Sequence, residues 1–424
     1  MKKTFFTILS IILFLLLWQI LSAVIDSSLI LPGPAKVFFN LISLLKTKAF
    51  YKNFLFSFLR VISAFSISLF AGIILGTACG FFSSVKSFFS FPLTIIRSTP
   101  IVALILILVF IFQSSQVPVI AAVLMAFPIV TTSICTGTEN FKKDSKINEM
   151  TNIFGFTERQ KAKYIFLPLI KPHLKDSAVS SFGIAWKVVA AGEVLSLPRF
   201  AMGTAISKAQ VHLETADVLS YTLVLIIASY TIESILKIPC TEKKLKSKSN
   251  PPDAKTYMPS FQKNDRLAII APSGFGKTTL LNYISRNYKN VSYAFQEPRL
   301  IQTCTAFENI ILPLQNKFDF KTSEKIANYF IENLSLKEKK DTPVKFLSGG
   351  QAQRVSLARA LSFPSEILLL DEAINSQDYE LKIKIMDFII SELDKNPRTL
   401  IFVTHDERDG KYLCKKIIHL TEKN

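Results

Sequence analysis

Apolar residues dominate the first 240 positions of this chain and thin out after them. Long apolar blocks recur near residues 5–25, 55–82, 88–112, 117–136, 177–197 and 217–237. A bilayer core of about 30 Å takes about 20 apolar residues as a helix, so the blocks predict about six membrane spans. The second and third are the hardest to delimit, because Pro92, Arg97 and Pro100 break the apolar pattern. Such breaks are tolerated at membrane depth where neighbouring helices or a cavity satisfy the freed backbone groups. Beyond residue 260 the pattern changes to short apolar runs, among them Leu267–Ile270, Ile367–Leu370 and Leu400–Val403. Their length and residue types predict buried strands. The expected fold class is an N-terminal all-α transmembrane bundle followed by a C-terminal α/β domain.

Between them, residues 239–260 lack an apolar period and hold Pro239, Lys243, Lys244, Lys246, Lys248, Pro251 and Pro252. This composition reads as a semi-flexible linker, dividing the chain into 1–238, 239–260 and 261–424. Charge sharpens the picture. The formal net charge is +18, which in a soluble chain would raise the question of nucleic acid. Here mean hydropathy is +0.33 and no Arg/aromatic platform accompanies the charge. The excess is read against membrane lipid, and nucleic acid is excluded as a partner. Lys2 and Lys3 put the N-terminus in the cytoplasm, and four spans return the chain there at 138–176. That loop carries Lys142, Lys143, Lys146, Arg159, Lys161, Lys163, Lys171 and Lys175, as the positive-inside rule requires. Two further spans leave the C-terminal domain cytoplasmic, whereas a five-span count would put it outside. The outer loop 26–54, with Lys36, Lys46, Lys48 and Lys52, is the awkward segment. The first block exceeds the usual length of a signal-peptide core, so a retained span is favoured over a cleaved signal. The five cysteines form no Cys-x-x-Cys pair and the four histidines lack ligand spacing, which argues against a disulfide framework and a zinc site.

The C-terminal domain carries candidate chemistry. Leu267–Ile270 leads into Ala271-Pro-Ser-Gly-Phe-Gly-Lys-Thr-Thr279, and a helical pattern follows to Ile284. Strand, Gly-rich loop and helix are the context of a phosphate-binding loop, whose N–H groups cradle an anion at the helix N-terminus. Downstream come Gln296, Leu347-Ser-Gly-Gly-Gln351, Ile367-Leu-Leu-Leu-Asp-Glu372 and His405. A lone His after an apolar strand is more often a packed or capping residue. Its place in this order, between Thr404 and Asp406, favours a function.

These five elements in this order resemble the nucleotide-binding domain of ATP-binding cassette (ABC) transporters, and the Leu-Ser-Gly-Gly-Gln pentapeptide is specific to that family. The resemblance implies an ABC-type P-loop NTPase that hydrolyses ATP with Mg2+. Ser273, Gly274, Phe275, Gly276, Lys277, Thr278 and Thr279 would hold the phosphates, with Lys277 on the β- and γ-phosphates. Thr278, Gln296 and, through water, Asp371 would hold Mg2+; Glu372 would be the general base, His405 would contact the γ-phosphate, and Gln296 would also sense the γ-phosphate and link to the membrane domain. Ser348, Gly349, Gly350 and Gln351 would complete the ATP pocket of an opposite subunit, which implies a homodimer.

In the basic loop, Glu149-Met-Thr-x3-Gly155-x9-Ile165-Phe-Leu167-Pro168 resembles the Glu-Ala-Ala-x3-Gly-x9-Ile-x-Leu-Pro loop of ABC importer permeases. Met150 and Thr151 stand in place of the two alanines. The resemblance implies that Glu149, Gly155, Leu167 and Pro168 belong to a coupling loop that docks on the ATPase. Gly155 would permit a tight turn and Pro168 would start the next segment. Ile30-Leu-Pro-Gly-Pro34 before an amphipathic helix, Ser57-Phe-Leu-Arg60 and Ala185-Trp-Lys-x4-Gly-Glu193 together look like the nitrate/sulfonate/taurine importer permeases, over roughly 28–238. That likeness implies a multi-pass inner-membrane protein, an extracytoplasmic solute-binding protein and a small-molecule solute, often anionic or heterocyclic. Lys187 and Glu193, ionisable groups in an apolar segment, are read either as part of the solute path or as a structural pair.

Several departures stand out. Only 19 positions separate Lys277 from Gln296, so a reduced β-subdomain is expected. Ala271 replaces the usual first glycine, and Tyr257 is the one weak candidate for stacking on adenine. Ala373-Ile-Asn-Ser-Gln-Asp378 stands where the family tends to have Pro-x-Ser-Ala-Leu-Asp. All the catalytic residue types are present, which favours an active ATPase. The leading expectation is ATP-driven import with permease and ATPase on one chain. The alternatives are an ABC exporter, whose spans usually run far into the cytoplasm, and a non-transporting regulatory ABC protein.

Overall fold

The computed structural model describes residues 2–236, 260–271, 276–375 and 377–419. Ser273, Gly274, Phe275, Tyr257 and residues 239–259 of the expected linker therefore lie outside the described residues. The chain divides into two compact units, Met1–Asn140 with Leu169–Glu242 and Phe141–Pro168 with Lys243–Asn424. The loop around Glu149 thus belongs with the C-terminal unit.

Helices α1 (Lys2–Ile25), α2 (Pro34–Leu45), α3 (Lys48–Phe81), α4 (Ser83–Ser98), α5 (Ile101–Ile111) and α6 (Val117–Lys143) come first. Next are α7 (Ser145–Ile153), α8 (Glu158–Gln160), α9 (Leu167–Ser196), α10 (Met202–Val211) and α11 (Thr215–Leu236). Among the described residues, five helical stretches are long and apolar enough to cross a membrane: Phe5–Ile25, Lys48–Phe81, Val117–Lys143, Glu158–Ser196 and Thr215–Leu236. The remaining apolar block is a pair, α4 and α5, bent by 100°. The bend falls at Thr99-Pro100, both extended, as expected where proline disfavours helix in the residue before it.

Packing shows that the bent pair crosses the bundle. A Cβ added to Gly72, Gly76 or Gly80 of α3 would lie 2.6, 2.8 and 2.3 Å from the Cβ of Val130, Ile134 and Thr138 of α6. Both numberings rise together, so α3 and α6 run parallel and the chain between them must return across. Lys86 pairs with Glu139 towards the C-terminal end of α6. Ser196 Oγ donates to the Ser114 carbonyl, just before α6 begins, at 3.0 Å. The α4–α5 pair therefore joins opposite ends of the bundle, which gives six crossings. Ala64, Ser68, Gly72, Gly76 and Gly80, four residues apart, are all buried along this contact. In lipid, where apolar burial does not drive association, small residues at this spacing let two backbones approach closely.

Glu193 is buried, but Lys187 is not its partner. Arg60 Nη1 donates to Glu193 Oε1 at 2.7 Å, while Ser57 Oγ and the Gly203 N–H donate to Oε2 at 2.8 and 3.0 Å. Lys187 is exposed. Six residues on an α-helix turn through about 600°, so the two side chains leave α9 on different faces. The structural-pair reading survives only with Arg60 as the cation.

The second unit is built on one parallel sheet, in the order β2-β3-β4-β1-β5. The strands and helices alternate as β1 (Arg266–Ile270), α12 (Lys277–Asn287), β2 (Val291–Ala294), α13 (Ala306–Leu314), α14 (Phe320–Asn333), α15 (Gly349–Ser362), β3 (Ile367–Asp371), α16 (Tyr379–Lys395), β4 (Thr399–Thr404), α17 (Glu407–Leu413) and β5 (Lys416–His419). Every residue of β3 and β4 is buried, as in strands covered on both faces. A single helix, α12, joins β1 to β2, which is the reduced β-subdomain in physical form. The register pairs Ile270 with Thr404, Asp371 with Val403 and Ala294 with Leu370. The carboxyl ends of four strands thus meet at one edge, the usual place for a ligand in an open α/β sheet.

Candidate active site and its docked loop

At that edge polar side chains stand just beyond β2, β3 and β4 and in the first turn of α12, which follows β1. Gly276 precedes α12 with φ +74°, and an added Cβ there would meet nothing within 4 Å. The need for glycine is conformational. Lys277 is buried, donates from Nζ to the Ala271 carbonyl at 2.7 Å and lies 3.2 Å from Glu372 Oε1. Thr278 Oγ1 and Tyr293 OH donate to Asp371 Oδ2 at 2.8 and 3.3 Å. Burial pushes the Asp371 carboxyl above the usual carboxylate range, opposed by those two hydroxyls, while Glu372 adds to the rise and Lys277 opposes it. Glu372 follows with φ 50°, a left-handed conformation that costs a non-glycine residue about 1–2 kcal/mol and recurs at functional sites. Its N–H donates to the Val403 carbonyl at 3.0 Å, which holds it there.

Gln296, past the end of β2, donates a long 3.4 Å bond to Glu372 Oε2. Its own carbonyl accepts from Gln353 Nε2 of α15 at 3.3 Å. His405 Nδ1 lies 3.8 Å from Glu372 Oε2, and Asn375 stands between them. Lys277, Thr278, Gln296, Asp371, Glu372 and His405 are therefore one cluster, with half-buried Thr279 next on α12. Ser348 caps α15 and exchanges bonds with Gln351 in a capping box. Gly350 accepts from Gln377 Nε2 at 3.0 Å, and Gly349 has open space beside it. Among the described residues, no hydrogen bond joins Ser348–Gln351 to Lys277, Glu372 or His405.

Mg2+ is implied by the resemblance, and the residues fit it. Thr278, Asp371 and Gln296 offer hydroxyl, carboxylate and amide oxygens, the hard donors that Mg2+ takes alongside substrate phosphates. Both hydrogen bonds to Asp371 go to Oδ2. Among the described residues, no group of three or more His, Cys, Asp and Glu could hold a metal alone.

The loop before α9 packs into the same unit. Asp144 caps α7 and Thr157 caps α8, so two short helices flank Gly155, whose φ is +63°. Met150 and Phe154 are fully buried in the hydrophobic core built on the sheet. Glu149 forms an ion pair with Arg299 and lies 3.6 Å from Arg286. The Arg299 guanidinium lies over the Phe295 ring at 3.8 Å. Asn316 Nδ2 donates to the Gly155 carbonyl at 2.9 Å, and Gln160 Nε2 to that of Leu312 at 3.0 Å. Pro168 has no N–H for the carbonyl of Tyr164, four residues back, and that carbonyl accepts from Thr303 Oγ1 at 3.4 Å. Leu167 is exposed.

Three residues here carry no signal in the sequence alone, Tyr293, Arg299 and Arg359, and a fourth, Asn375, stands out there only as part of the departure at 373–378. Arg359, fully buried on α15, donates to the Arg299 carbonyl at 2.8 Å and lies 4.7 Å over the Phe154 ring. Burial, with the Arg299 charge adding, pushes its guanidinium down to about 9. Buried arginines paired only to carbonyls and rings leave no local pattern.

Comparison with known proteins agrees with this architecture. The ABC transporter family model matches residues 287–375, and the model of binding-protein-dependent transport system inner membrane components matches 68–238. An aliphatic sulfonates import ATP-binding protein of Pseudomonas syringae pv. tomato is 33% identical over 170 residues, covering 38% of this chain and 72% of that protein. Its counterpart from Zymomonas mobilis is 33% identical over 172 residues, covering 36% and 70%. A spermidine/putrescine import ATP-binding protein of Fusobacterium nucleatum is 33% identical over 179 residues, 37% of this chain and about half (48%) of that protein. The chain belongs to the ABC transporter family. It is an ABC-type ATPase joined to a multi-pass permease of the binding-protein-dependent class.

Proposed function

We propose that this chain imports a small solute at the expense of ATP, as a homodimer served by an extracytoplasmic solute-binding protein. Its ATPase lies in the cytoplasm, and the domain division is 1–238, 239–260 and 261–424, with the loop 141–168 reaching onto the ATPase. Each ATP binds between the phosphate loop of one subunit and Ser348–Gln351 of the other. Ser273, Gly274, Phe275, Gly276 and Thr279 line the phosphates. Lys277, already desolvated, neutralises the β- and γ-phosphates. Thr278, Asp371 and Gln296 would hold Mg2+, which would supply charge neutralisation at the phosphates. Glu372 takes a proton from the attacking water, and His405 donates to the γ-phosphate.

The observation that carries the transport reading is the seating of Glu149 and Phe154 against Arg299 and Arg359. Arg299 is three residues from Gln296 and Arg359 lies on the helix that Ser348 caps, so both γ-phosphate-sensing segments touch one loop of the permease. The aliphatic sulfonate importers' ATPases are among the relatives, and a small anionic organic solute is the class we favour. The test is uptake of sulfonates into proteoliposomes holding the chain, with ATP on the ATPase side and a cognate binding protein on the other. Uptake that requires both supports the reading; ATP-driven efflux in its place would turn it to an exporter.

A further inference from the structure

We propose that Asn375 sets the tautomer of His405, so that the ring meets the γ-phosphate as a neutral Nε2–H donor. The inference rests on the ATPase reading above and adds a positioning residue to it. Asn375 lies in the turn after β3, and its amide nitrogen reaches two groups at once. It is 3.4 Å from Glu372 Oε2 and 3.2 Å from His405 Nδ1. Among the described residues, its carbonyl oxygen is buried and has no partner.

The proton inventory decides the arrangement. An ionised carboxylate only accepts, so Asn375 must turn its NH2 towards Glu372. A flipped amide would set two acceptor oxygens 3.4 Å apart and lose that bond, which fixes the orientation on chemical grounds. The NH2 has two hydrogens, one for Oε2 and one for Nδ1. His405 Nδ1 is then the acceptor, and a neutral imidazole must carry its proton on Nε2. Glu372 Oε2, at 3.8 Å from Nδ1, is too far to take a proton from it in a hydrogen bond. Nε2–H is left as the one donor of an exposed ring, ready for an anionic phosphate with no tautomer exchange. Asn375 thus acts through His405, as a positioning residue.

The test uses the full chain in lipid nanodiscs, labelled with 15N-histidine. The chain has four histidines, and the His405 signals are assigned by their loss in His405→Ala. We expect a protonated Nε2 and an unprotonated Nδ1 in the wild type, and a mixture of tautomers in Asn375→Ala. In Asn375→Asp the carboxylate can only accept, so the proton should move to Nδ1. Turnover should fall at least about tenfold in both, and further in Asn375→Asp, with the KM for ATP unchanged, because a wrong tautomer disables a site whose geometry is intact. A wild-type His405 protonated at Nδ1 overturns the proposal even if no variant folds. So does an Asn375→Ala variant with wild-type spectrum and turnover. Wild-type hydrolysis by Glu372→Gln would instead overturn the ATPase assignment, and the His405 spectrum is read independently of it.

Discussion

Glu149, on the loop between the fourth and fifth crossings, is ion-paired to Arg299, three residues beyond Gln296. The side chains keep only 17% and 12% of their exposure, so the pair is largely out of water. Removing one partner from such a pair leaves an uncompensated charge at a cost of about 3 kcal/mol. Phe154, five residues on, fixes the loop by a different force, its ring lying edge-on to Phe363 with centroids 5.3 Å apart.

Gly155 should be sensitive to conformation and not to size. Its φ is +63° and an added Cβ would meet nothing within 4 Å. A β-branched residue resists that region by at least about 1–2 kcal/mol, whereas Asn visits it readily. Gly155→Val should keep basal ATP hydrolysis and lose most uptake, while Gly155→Asn keeps both. Paired ATPase and uptake rates in proteoliposomes check this; equal loss in both variants would point to a steric cause.

The α3–α6 contact should fail by overlap. A Cβ at Gly80 would sit 2.3 Å from the Thr138 Cβ and 3.0 Å from the Cys135 carbonyl, so Gly80→Val must spread two helices. A loss of about 1–3 kcal/mol is expected from overpacking. It should appear as a lower midpoint in thermal unfolding of the purified chain, with Gly33→Ala, whose nearest contact is a flexible Gln19 side chain at 3.3 Å, close to wild type.

The chemistry separates by residue. Glu372→Gln should bind ATP and lose turnover, since the base is gone and the phosphate cradle remains. Lys277→Ala should weaken nucleotide binding itself. Equilibrium binding of a fluorescent ATP analogue, beside phosphate release, distinguishes the two.

With the ATPase in the cytoplasm, as proposed, six crossings would put Lys36 outside and Arg159 inside. Both are exposed, unlike Met150, which is fully buried and would report burial instead of sidedness. In a background without native thiols, an impermeant maleimide should label Lys36→Cys on intact cells and leave Arg159→Cys unmodified until lysis.

What could be read in the sequence follows from how local each requirement is. The phosphate loop needs glycine at Gly276 and a short buried strand before it, and both are visible in a few residues. Pro100 likewise announced a break in the third span. The partner of Glu193 was not legible, because Arg60 lies 133 positions away and Lys187 was the nearer charge. α10 lies between two apolar blocks and is not legible in the sequence, since its ten residues carry no long apolar run. Asn375 looked like a departure from family pattern, and only the strand register brings it beside His405.

If the Glu149 loop carries the ATPase cycle to the permease, exchanging the two charges should first break and then restore coupling. Glu149→Arg and Arg299→Glu should each keep basal ATP hydrolysis within about threefold and reduce uptake at least about tenfold, a loss of about 1.4 kcal/mol or more in coupling. The double exchange should recover most of the uptake, because opposite charges again meet across the same contact. Uptake by either single variant at the wild-type rate, in proteoliposomes with verified folded protein, would contradict the account.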